Sequence, residues 1–147
     1  MPDEDEKLDV DQAIERLNAA LVLQYRSALQ YSLSSGSLFG IEFQAFGERF
    51  WEFARAELDD ARRLVEKIAA LGGEPATEVA ELRWTGDPGD AVEWLIKTES
   101  DAIERLQAAI EPTGREGRSE ALEHMLEHVI MRKQEQVDFL VRARRSS

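Results

Sequence analysis

The chain has 147 residues, enough for one domain with its own core, and its 43% apolar and 33% charged content excludes a disordered or fibrous protein. A net charge of -12 argues against nucleic acid and anionic membranes as partners. There is no cysteine, which excludes disulfides, thiolate metal sites and cysteine nucleophiles. No window has the apolar length of a membrane span, and the acidic start MPDEDEKLD lacks the apolar stretch of a signal peptide, so a cytoplasmic protein is expected.

Residues 1–8 read as a charged tail and 9–147 as a single helical domain. Asp9 can cap a first helix, with Gln12 placed for a capping box. The helix carries Ile14, Leu17, Leu21, Ala28 and Tyr31 on one stripe and ends in the run Ser34-Ser35-Gly36-Ser37. A second helix is expected from Gly40 or Ile41 to Leu71, with Phe43, Phe46, Phe50, Phe53, Ala61, Leu64, Ile68 and Leu71 inward. Gly72-Gly73 supplies its left-handed cap, and Pro75 blocks continuation. The connector that follows is too long for a simple helix-helix turn, and its Val79, Leu82 and Trp84 predict packing over the bundle. A connector of this kind can join two parallel helices.

Asp87-Pro88 starts a third helix, whose face bears Val92, Leu95, Ala102, Leu106 and Ala109 and which ends at Pro112 and Gly114. Thr113 or Ser119 can cap a fourth, running to about Arg144 with Leu122, Leu126, Val129 and Leu140 inward. The three tryptophans, Trp51, Trp84 and Trp94, read as packing residues. Leu23, Tyr25, Trp51 and Ala54 lie beyond the core stripes of the first two helices, and apolar surface of that kind marks an interface.

Each stripe is broken by polar residues near mid-length. Gln24 breaks the first, Glu57 and Asp60 the second, Glu99 the third, and Lys133 and Gln136 the fourth. In an antiparallel bundle these positions meet at one level, so the six side chains are expected to form one buried polar cluster. A buried carboxylate is costly unless it is paired or bound to a metal. Three carboxylates against one ammonium leave room for one divalent ion or for protons. The single-pair-single-pair order is that of the ferritin-like di-iron layout, with one Glu from each of two helices and Glu-x-x-His from each of the others.

Leu17-Asn18, Gln30-Tyr31, Glu57 to Ala61, Leu71-Gly72-Gly73-Glu74-Pro75 and Val137-Asp138-Phe139-Leu140 give the chain a resemblance to the bacterioferritin and Dps branch of the ferritin-like superfamily. The resemblance implies an all-α, ferritin-like four-helix bundle with a long crossover between the second and third helices. It implies iron as cofactor, a homo-oligomer of at least a dimer paired through the first two helices, and a tyrosine, Tyr31, beside the metals. It places Glu57 and Glu99 at ligand positions. Asp60 then stands in place of a His, Gln24 of a Glu, Lys133 of the second pair's Glu and Gln136 of its His. Leu58 stands where bacterioferritin has its haem-ligating methionine, so no haem is expected.

Two readings of function stay open: an iron-binding or storage-related protein with impaired or absent ferroxidase activity, or an active non-haem ferroxidase with an unusual ligand set. His124 and His128, spaced i, i+4, suit a metal pair. At about 100° per residue, however, they and Glu135 point away from the core and cannot replace the missing ligands.

Overall fold

The computed structural model describes residues 7–38, 40, 44–111 and 113–145. Four helices account for most of them: α1 Val10–Ser37, α2 Gln44–Ala70, α3 Pro88–Ile110 and α4 Gly117–Arg145. The chain's own caps set most of the helix ends. Asp9 Oδ1 accepts from Gln12 N at 3.1 Å, and Asp87 Oδ1 accepts from Gly89 N at 3.3 Å with Pro88 opening α3. At the end of α2, Gly72 adopts a φ of 87°. Gly72 N then donates to Ala69 O at 3.0 Å and Gly73 N to Ile68 O at 2.9 Å, the paired bonds of a Schellman turn.

Several expected details differ. α1 runs through Ser37 because the Ser37 hydroxyl bonds back to Leu33 O at 2.6 Å and Leu38 N caps Ser34 O at 3.1 Å. Gly40, one expected start of α2, is a bend with a φ of 117° outside the helix; the other, Ile41, together with Phe43 and the expected stop at Pro112, lies outside the described residues. Neither Thr113 nor Ser119 caps α4. Thr113 Oγ1 donates back to Ile110 O at 2.7 Å, closing α3, and Ser119 is buried within α4.

α1 packs against α2 and α3, and α4 against α3 and α2, closing a ring of four. Cross-helix contacts fix the directions. Ser35 meets Gly47, Arg16 meets Ala108, Arg144 meets Glu93 and Phe53 meets Phe139, so every neighbouring pair is antiparallel. The crossover between α2 and α3 climbs the length of α1. Asn18 Nδ2 donates to Glu74 O at 2.9 Å and Asn18 Oδ1 accepts from Ala76 N at 2.7 Å. Higher up, Gln30 grips Arg83 in the same two-handed way, at 2.9 and 2.7 Å. The crossover does lie on the bundle, but Val79, Leu82 and Trp84 face outward, Trp84 being 64% exposed. Side-chain amides of α1 bonded to its backbone hold it, together with Trp84 Nε1, which donates to Ser37 Oγ at 3.0 Å. Trp51, at 50% exposure, is likewise no core residue, whereas Ala54, read as interface, is buried.

The core falls into two apolar clusters. One holds Leu17, Leu21, Leu64, Ile68, Leu106, Leu122 and Leu126, and the other Tyr31, Phe50, Phe53, Leu95 and Leu140. In every helix the polar residues interrupting the stripe lie between these two sets, which creates a polar layer across the middle of the bundle.

Candidate metal centre

All six expected residues are buried in that layer, with Glu57 1% exposed and Asp60, Glu99 and Lys133 at 0%. Lys133 is at its centre. Its Nζ donates to Glu57 Oε2, to Glu99 Oε1 at 3.0 Å and to Ser27 Oγ at 3.5 Å. Gln24 Nε2 donates to Glu57 Oε2 at 2.6 Å and to the Glu57 carbonyl at 2.8 Å. Gln136, its amide nitrogen turned toward the carboxylates, donates to Glu99 Oε2 at 2.9 Å and to Glu57 Oε1. The two glutamates are therefore bridged twice, by an ammonium and by a neutral amide.

Asp60 does not join this set. It pairs with Arg132, whose side chain is 34% exposed at the flank of the α4 stripe. Sequence reasoning missed Arg132. Its signal was indirect: the expected cluster was short of positive charge, and Arg132 stands at i+3 from Val129, within reach of the inward face. Ser27, also missed, lies one turn beyond Gln24. With Arg132 counted, three carboxylates face two cations, which corrects the earlier count and leaves one unbalanced negative charge.

The titrations follow from burial. Glu57 is pushed up to about 8, first by burial and then by the charge of Glu99, against the pull of Lys133. Asp60 is raised, because burial outweighs Arg132. Burial alone would lower Lys133, but Glu57 and Glu99 reverse this and hold it above its ordinary value. Tyr31 is raised well above the usual phenol range by burial and then by Glu99 and Glu57.

Among the described residues, no group of three or more His, Asp or Glu side chains is disposed to hold a metal ion. His124, His128 and Glu135 are exposed on α4, away from the layer.

The Ferritin-like domain family matches residues 14–143. The chain belongs to this family. Solved structures share the fold. A ferritin-like, diiron-carboxylate protein from Bacillus anthracis str. Ames is 26% identical, with a TM-score of 0.86 over 92% of this chain and 97% of that one. The dodecameric thioferritin of Bacteroides fragilis, a bacterioferritin-related protein, is 22% identical, with a TM-score of 0.83 over 93% and 86%. Rhodobacter capsulatus bacterioferritin is 24% identical, with a TM-score of 0.76 over 91% and 83%. No curated protein sequence matches the chain. Among the described residues, no helix is long and apolar enough to cross a membrane.

Proposed function

We propose that this chain is an iron-related ferritin-family subunit in which a buried lysine–carboxylate network takes the place of the di-iron centre, leaving weak or no ferroxidase activity. The observation that carries this reading is Lys133 Nζ, hydrogen-bonded to both Glu57 and Glu99 with no solvent exposure. An ammonium there neutralises the charge that a bridging cation would neutralise, occupies its oxygen donors and repels it. The rest of the donor set suits a dinuclear iron pair no better. Asp60 is engaged by Arg132, Gln24 and Gln136 are neutral amides donating to the same carboxylates, and no imidazole reaches the layer. Iron prefers free oxygen donors with imidazole.

The same reading extends to the surface. Leu58, 57% exposed, lines an apolar hollow of about 320 Å³ with Tyr25, Ala28, Leu29, Ala76, Thr77 and Val79. A leucine there offers no thioether to a haem iron. The hollow suits instead a second copy of the chain, giving a homo-oligomer of at least a dimer in the cytoplasm, without nucleic acid or membrane. The dodecameric assembly of the Bacteroides relative is in keeping with this.

Aerobic addition of Fe(II), followed in the near ultraviolet, tests the central reading. Oxidation no faster than in protein-free buffer, and unchanged by Glu57→Ala, is the expected result. Fast, saturable oxidation abolished by Glu57→Ala would establish the active ferroxidase instead.

A further inference from the structure

We propose that His124 and His128 form a surface site for a borderline divalent cation of the Zn(II), Ni(II) or Cu(II) type, on the face of α4 turned away from the core. This goes beyond the reading of the polar layer and does not depend on it.

The two residues are one helical turn apart, and both are exposed. Their ring centroids are 4.7 Å apart with the ring planes at 90°. An ion bonded to imidazole nitrogen at about 2.0–2.1 Å lies about 3.2 Å from the ring centre, so two rings on one ion at right to tetrahedral angles have centres roughly 4.5–5.2 Å apart. The observed spacing falls inside that interval, and exposed rings can turn both nitrogens to one point without disturbing the core.

The surroundings select a cation. Glu120 and Glu127, four residues before and three after His124, are exposed on the same helix of a chain of net charge -12. The opposing charge is limited. Arg63 and Arg132 share a hollow with His128, but Arg132 is turned inward to Asp60. Imidazole donors favour Zn, Ni and Cu over Mn or Mg, and with only two of them the remaining coordination positions go to water. A moderate affinity follows.

Titration calorimetry of the full chain with Zn(II) alone decides the matter, with Mn(II) as the contrasting ion. Wild type should bind one Zn(II) per chain and show no comparable heat with Mn(II). His124→Ala and His128→Ala should each weaken Zn(II) binding at least tenfold. Both lie on the surface, so their metal-free melting temperatures should match wild type, which confirms that the fold is kept. Wild type that takes up no Zn(II) at 1 mM, or alanine variants that bind as wild type does, would overturn the proposal. The polar layer is judged separately by Fe(II) oxidation, to which neither histidine contributes.

Discussion

At the scale of single residues, the chemistry is decided by two consecutive cations on α4. Lys133 serves Glu57 and Glu99, and Arg132 serves Asp60. Three of the six inward positions carry a carboxylate, yet no one of those acids is left to water. The pH dependence of stability should report this. Glu57 has an ordinary value of 4.5 and is pushed up to about 8 in the fold. The native state therefore holds a proton that the unfolded chain releases, and Glu57's contribution to stability declines as pH rises from the lower value to the higher, then levels off. Asp60, also raised, acts in the same direction. Lys133, raised from 10.5, loses its contribution only in more alkaline solution. Urea unfolding at pH 5.5, 7 and 8.5 should thus show wild type losing stability, on the order of a few kcal/mol. Glu57→Gln should flatten most of that decline, whereas parallel curves for the two proteins would show that Glu57 titrates normally.

At the scale of elements, the crossover is a strap attached to α1 at two polar clamps. Gln30 is 2% exposed, and its amide satisfies both the N–H and the carbonyl of Arg83. Gln30→Ala removes both partners from a part-buried backbone, a loss of about 1–3 kcal/mol. Hydrogen exchange should show it as faster exchange confined to the upper crossover. Unchanged exchange at Arg83 would mean that the strap is held elsewhere. The lower end has another constraint: a Cβ on Gly73 would stand 2.7 Å from Ile14 Cγ2. The helices were legible in the sequence because caps and stripe periodicity are local signals. The clamps were not, because they join residues 53 to 58 positions apart and follow no periodic pattern. Arg132 escaped for a related reason: a long side chain can reach the interior from a flank that periodicity assigns to the surface.

At the scale of the whole molecule, the burial of the six stripe-breaking residues was legible because a polar break in an apolar stripe is a periodic signal, whereas Arg132 and Ser27 lie off the stripes. Trp94 packs beneath Arg26 and Arg83, whereas Trp84 is exposed, because hydrophobicity does not separate a packed residue from a surface one. Leu29, Trp51, Leu58, Val79, Leu82 and Trp84 are exposed apolar residues of α1, α2 and the crossover. Surface of this extent predicts a dimer or larger species by light scattering at micromolar concentration. Leu58→Glu should shift that species toward monomer, and a wild-type monomer would refute the interface. In the proposed function, Lys133 takes the place of the metal. Lys133→Glu puts a third glutamate into the layer and removes one of its two cations, which should lower stability without metal by about 3–5 kcal/mol. The decisive measurement is the melting temperature of wild type and Lys133→Glu, with and without excess Fe(II) under anaerobic conditions. A small metal effect on wild type and a large one on the variant is predicted, since binding to the native state stabilises it by mass action. An equal gain in wild type would contradict the claim and make the native layer a metal site.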